Sequence, residues 1–205
     1  MLVKTFGAAV QGINATIITI EVNVNQGIHF FLVGLPDNAV KESHERIASA
    51  LDYIGYKMPR KQIVVNMAPA DIRKEGSAYD LPLAIGMLAA DEKIQANQLE
   101  QYLIMGELSL DGSLNPIKGA LSIAIKAREE KFKGFILPKQ NAREAAVVND
   151  LEVYGVENIK QVVDFLNGNL DIEPTIVNTR QEFYENLNHF EIDFADVKGQ
   201  ENVKR

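Results

Sequence analysis

The sequence predicts a mixed α/β (α+β) domain, and three observations carry that expectation. The second half alternates strand-like and helix-like segments, the first third holds one helix of clear 3.6-residue periodicity, and residues 13–24 are rich in β-branched side chains. A chain of 205 residues has length for one ample core, or for one domain followed by a tail.

Taken in order, residues 13–24 (Ile-Asn-Ala-Thr-Ile-Ile-Thr-Ile-Glu-Val-Asn-Val) read as a strand. Gln26-Gly27 turns the chain into a second strand, Ile28 to Val33, and the two are expected to pair as a hairpin. Gly34-Leu35-Pro36-Asp37 then breaks the pattern and places Asp37 to cap a helix. In that helix Val40, His44, Ile47, Leu51 and Ile54 recur at steps of four, three, four and three, which is one face, and Gly55 stops it. Strand 62–67 follows, then a charged loop, then an apolar helix from about Leu81 to Ala90. Leu103 to Leu110 reads as a strand with Asp111-Gly112 as its hairpin turn. Pro116-Ile117-Lys118-Gly119 leads into a helix from Ala120 to Lys131. Strand 134–137, helix 140–148, strand 151–154 and helix 158–167 complete a β-α-β-α order, which normally means parallel strands with helices on the faces.

Residues 1–168 are thus expected to form one domain, residues 169–191 an acidic linker that folds back on it, and residues 192–205 the beginning of another unit. With no cysteine there is no disulfide framework, thiolate metal site or cysteine nucleophile. His29, His44 and His189 lie far apart, and none has a partner at i+4, which argues against a metal site. There is no run of eighteen apolar residues and no signal-peptide pattern, so no membrane partner is expected and the composition suits a cytoplasmic protein.

The net charge of −7 is unevenly placed. Residues 149–205 hold 12 acids and 5 bases, leaving 16 of each in residues 1–148. Within that neutral part Lys118, Lys126, Arg128, Lys131, Lys133, Lys139 and Arg143 face only Glu129 and Glu130. A local excess of this kind is either a phosphate-facing surface or a solvated helix face. The candidates for nucleic-acid contact are Lys118, Lys126, Arg128, Lys131 and Lys133, together with Arg73 and Lys74 of the charged loop.

No G-x-x-x-x-G-K-[ST] loop occurs, so these residues are not expected to hydrolyse ATP unaided, and H-E-x-x-H, G-x-S-x-G and G-x-G-x-x-G are also missing. Asp71 and Glu75 stand beside Arg73 and Lys74, where mutual ion pairing explains them better than acid–base catalysis. Ser77 is the harder case, because a serine just before a helix is a nucleophile, a cap or a plain loop residue. As a nucleophile it needs a base within reach. Lys74 and Lys118 are the candidates, with Lys74 expected to stay protonated and hydrated among its charged neighbours. Ser77-Ala-Tyr-Asp80 fits a capping box, but Pro82 would then fall at the fifth helical position. Asp80 is therefore the expected cap, with Ser77 in the loop before it.

Four stretches carry a resemblance: "VGLPDNAVKESHERIASAL" (33–51), "NMAPADIRKEGSAYDLPLAIGMLAA" (66–90), "GELSLDGSLNPIKGA" (106–120) and "DFADVKGQENVKR" (193–205). They resemble the ComM/YifB family of Mg-chelatase-related AAA+ ATPases over nearly the whole chain. The resemblance implies a Lon-protease-like N-terminal domain of the ribosomal protein S5 domain 2-like fold, followed by an AAA+ module whose opening residues 193–205 resemble. It also implies ATP and Mg as cofactors of that module, a homo-oligomeric ring and a DNA branch-migration helicase, with ATP-dependent protease or chelatase subunit as alternatives. Lon-type proteases carry their nucleophile in Gly-Pro-Ser-Ala-Gly and a paired lysine in Pro-Ile-Gly-Gly-Leu-Lys. Alignment on these runs puts Ala78 at the nucleophile position, with Ser77 one residue early, and Leu121 at the lysine position. The resemblance therefore implies no proteolysis and no catalytic residue in this segment.

Overall fold

The structure, a computed structural model, describes residues 1–178. The expectations for residues 192–205, and for the larger part of the linker, lie outside the described residues.

The chain opens with a strand that the sequence reading did not anticipate. β1 (Leu2–Gln11) pairs antiparallel with β2 (Asn14–Asn25) from Leu2↔Asn23 to Gln11↔Asn14. Its Gly7-Ala8-Ala9 run has small side chains that give weak periodicity. The longer pattern of β2 buries Ile18, Ile20, Val22 and Val24 on one face.

The expected hairpin between β2 and the next strand is corrected. β3 (Phe30–Val33) does not touch β2; it runs parallel to β4 (Gln62–Ala68), which lies between them. A parallel pair requires a crossover, and the intervening helices supply it. Gly34 ends β3 at φ +104, and a Cβ there would stand 2.1 Å from the Met67 carbonyl oxygen, so only glycine lets the turn lie against β4.

The crossover is two helices, not one: α1 (Asn38–Lys41) and α2 (Ser43–Tyr53), parted at Glu42. Asp37 caps α1 as expected, accepting the Val40 amide at 2.8 Å. The apolar face survives the break, since Val40, Ile47 and Leu51 are fully buried.

After β4 a single 3-10 turn (Ser77–Tyr79) leads into α3 (Asp80–Ala90), every residue of which is buried. Such a helix is apolar on all sides because protein surrounds it. It lies on the face of β1 and β2 that carries Thr5 and Val22. The Thr5 hydroxyl donates to the Pro82 carbonyl at 3.1 Å, and a Cβ on Gly86 would meet Val22 at 2.8 Å.

The strand expected over Leu103 to Leu110 is divided. β5 (Tyr102–Ile104) enters the main sheet, whereas β6 (Glu107–Leu108) leaves it and pairs with β7 (Leu114–Asn115) around the Asp111-Gly112 turn. The parting falls at Met105-Gly106, where the Met105 amide bonds the Ile136 carbonyl and the Gly106 amide bonds the Ala78 carbonyl. The rest follows the expected alternation through α4 (Ala120–Glu129), β8 (Gly134–Pro138), α5 (Lys139–Ala145), β9 (Glu152–Val156) and α6 (Ile159–Leu166). The seven-stranded sheet has the order β3-β4-β2-β1-β5-β8-β9. Four of its six pairings are parallel, with β2 antiparallel to both of its neighbours. By alternation along β1, α4 sits opposite α3: Phe6 meets Phe132 with ring centroids 5.2 Å apart, and Gly119 lies against Val10. Past α6 the Thr175 amide bonds the Val153 carbonyl at 2.8 Å, bringing the described part of the tail back along β9. Among the described residues no helix is long and apolar enough to cross a membrane.

Candidate functional site

Where β6 leaves the sheet, β1 loses its neighbour. β5 pairs with β1 only at Phe6↔Leu103, so the end of β1 borders a cleft of about 530 Å³. The far wall is the 3-10 turn, Glu107 and the Pro116-Ile117-Lys118 segment. The turn is held in place by paired backbone bonds: Gly106 N–H to the Ala78 carbonyl at 2.8 Å and Leu81 N–H to the Gly106 carbonyl at 3.0 Å. Asp37 adds a third tie, accepting the Gly76 amide at 3.0 Å from across the fold.

Ser77, Ala78, Arg73 and Lys118 all line this cleft. The Ser77 hydroxyl donates to Glu107, whose other carboxylate oxygen accepts Asn115 Nδ2 at 3.2 Å. Arg73 pairs with Glu75 at 3.1 Å, the ion pairing expected in that loop. Lys118 is exposed and has no ion-pair partner among the described residues. Leu121 is not part of the cleft wall; it is 39% exposed, and its amide bonds Glu144 at the start of α4.

Two expectations about this segment are corrected. Asp80 does not cap its helix. Its buried carboxylate receives Arg46 Nε at 2.7 Å, Arg46 Nη2 at 2.9 Å and the Leu108 amide at 3.2 Å. At the helix start it is the Leu81 amide that finds an outside partner, the Gly106 carbonyl at 3.0 Å. Burial raises the Asp80 carboxyl above its ordinary range, with Arg46 pulling the other way, and Asp80 in turn raises the Arg46 guanidinium. Lys74 is likewise not hydrated. It has no exposed surface, and its ammonium donates to the Pro69 carbonyl. Burial lowers its pKa, partly opposed by Asp71. A buried lysine offers no surface for contact with nucleic acid. Tyr79 completes the buried set, its hydroxyl donating to the Ala8 carbonyl at 3.0 Å and its pKa raised by burial.

The other basic candidates do not gather into one patch. Lys118 precedes α4, whereas Arg128, Lys131 and Lys133 lie at its far end, about 15 Å away for ten helical residues. Lys126 is engaged by Glu130 at 2.7 Å and Glu129 at 3.5 Å. Lys133 sits over the Tyr102 ring at 5.8 Å, and Arg128 and Lys131 are exposed. No group of histidines and carboxylates among the described residues is arranged to hold a metal ion.

Sequence reasoning missed Glu107 and Arg46. For the first, the available signal was an acid inside the otherwise apolar run Leu103-Ile104-Met105-Gly106-Glu107-Leu108. Arg46 gave none, because its partner lies 34 positions away.

A family model described as subunit ChlI of Mg-chelatase matches residues 20–141. Competence protein ComM of Haemophilus influenzae is 39% identical over 207 residues, covering 100% of this chain and 40% of ComM. The uncharacterized protein YifB of Escherichia coli is 40% identical over 201 residues, covering 96% of this chain and 38% of YifB. Lon protease 2 of Bacillus subtilis is more distant, 26% identical over 125 residues, which is 60% of this chain and 22% of the protease. The chain thus spans about 40% of the length of the ComM and YifB relatives. From the family match over more than half its length, and from identity along its whole extent, the chain belongs to the Mg-chelatase-related ComM/YifB family.

Proposed function

We propose that this chain is the non-catalytic N-terminal domain of a ComM/YifB-type AAA+ ATPase whose whole protein migrates DNA branches, with ATP and Mg acting in its AAA+ module. In this reading the domain supports assembly of a homo-oligomeric ring or contacts the DNA. The observation that carries the non-catalytic part is the cleft itself. Ala78, which has no hydroxyl, lines it; Leu121 lies outside it; and the Ser77 hydroxyl is bonded to a carboxylate, not to a lysine. Burial does lower Lys74, the other candidate base of this loop, but its ammonium is bonded to the Pro69 carbonyl and the Ser77 hydroxyl to Glu107, so among the described residues the serine has no lysine at hydrogen-bond distance. Arg128, Lys131, Lys133 and Lys118 remain the candidates for DNA contact, as exposed bases outside the ion pairs, the first three together at the far end of α4 and Lys118 apart at its start.

The test uses the full-length protein and branched DNA over a range of salt concentrations. Reversing Arg128, Lys131 and Lys133 to glutamate is expected to weaken binding and to flatten the salt dependence. Unchanged affinity and slope would remove the DNA-contact role. The second reading, a serine protease domain, is favoured by one observation, the placement of the Ser77 hydroxyl in a cleft beside a carboxylate.

A further inference from the structure

The end of β1 carries backbone groups that no other described residue takes up. Along an antiparallel pair, residues alternate between bonding the partner strand and facing away from it. Phe6 faces away from β2 and meets β5. Ala8 also faces away: its amide lies 3.3 Å from Met105 Sδ, and its carbonyl takes the Tyr79 hydroxyl. Val10 follows two residues later, so its N–H and C=O point the same way. There β5 has ended, and Val10 lines the cleft. An unpaired strand edge of this kind is a template for one more strand.

The surroundings indicate what that strand carries. The Val10 side chain is 38% exposed and lies against Gly119, and Ala9 and Ile117 line the cleft with it, so the wall beside the edge is apolar. The two carboxylates of the cleft are already occupied, Glu75 by Arg73 and Glu107 by Ser77 and Asn115. Lys118 is the cleft cation without an ion-pair partner among the described residues. From the open edge and the unpaired ammonium, we infer that the cleft binds an extended peptide segment of a partner protein, pairing with Val10 and placing a carboxylate side chain against Lys118. The peptide is held and not cut. This binding does not depend on the motor reading, since it requires neither ATP nor DNA.

The whole 205-residue chain, labelled with ¹⁵N, is titrated with acetyl-Val-Glu-Val-Thr-Val-amide while amide hydrogen exchange is followed. The Val10 amide is expected to slow at least tenfold. The same peptide with alternate amides N-methylated has lost its donors and is expected to bind about tenfold more weakly. Lys118→Glu, a surface change that leaves β1 intact, is expected to weaken the glutamate peptide about fivefold and to favour its lysine counterpart. An unchanged Val10 amide at millimolar peptide overturns the proposal, and so does equal binding of the N-methylated peptide. A thymidine decamer that binds through Lys118 while the peptide leaves Val10 unprotected also overturns it, by making the cleft a nucleic-acid site.

Discussion

Ser77 and Asp80 are three positions apart on the approach to α3, yet they belong to different parts of the molecule. Asp80 faces the core, where Arg46 and the Leu108 amide meet it with no solvent access. Ser77 faces the cleft, where its hydroxyl joins Glu107 and, through it, Asn115. On the core side each polar group answers another; Asp80 and the Leu108 amide do so out of solvent, while Arg46 keeps 22% of its side chain exposed. On the cleft side the same kinds of residue border solvent, and their loss alters a surface. The run that reads as one charged loop and a capped helix start is thus two sets of residues, one that builds the helix start and one that lines a groove.

The sharpest way to break this comparison is Asp80→Ala, which leaves the Arg46 guanidinium without its carboxylate. Because Arg46 keeps 22% of its side chain exposed and retains the Ala39 carbonyl, a loss of about 2–3 kcal/mol is expected in urea unfolding, and a loss as small as that of a surface variant would place Asp80 with the cleft set. Tyr79→Phe deletes the donor to the Ala8 carbonyl and is expected to cost about 1–2 kcal/mol in the same measurement. Lys74 sharpens the core side through pH. Burial lowers it below the ordinary 10.5, so the unfolded chain holds the proton more tightly. The stability of the native protein relative to Lys74→Met should therefore rise as pH climbs from the lowered native value toward 10.5. A difference that stays flat across that window would mean that Lys74 is solvated. The smallest effect belongs to the cleft side, where Ser77→Ala is expected to change stability by no more than about 0.5 kcal/mol.

Much of the C-terminal half was legible, because β8, α5, β9 and α6 are local patterns bounded by their own turns. In the first half the strand at 13–24, the Asp37 cap and the strand at 62–67 were legible, but the pairing of the strands was not, for topological reasons. The strand at 28–33 looks like the return arm of a hairpin, and nothing near Gln26-Gly27 reveals that β4, thirty residues later, takes the place beside β2. The site divided in the same way. Alignment on the helix start put Ala78 at the nucleophile position, and in the structure Ala78 lines the cleft. Alignment could not place Lys74 or Asp80, whose burial follows from the partners Pro69 and Arg46 that the fold brings to them. Nor could it show that Lys118 lines the cleft while Leu121, three residues later, lies outside its wall.

The central claim, that this cleft no longer performs nucleophilic chemistry, is tested most directly by exposing the whole protein to a fluorophosphonate probe. The account predicts no covalent adduct on Ser77 by mass spectrometry, with the intact chain and the Ser77→Ala variant indistinguishable. Labelling of Ser77 that disappears in Ser77→Ala would contradict it and restore the protease reading.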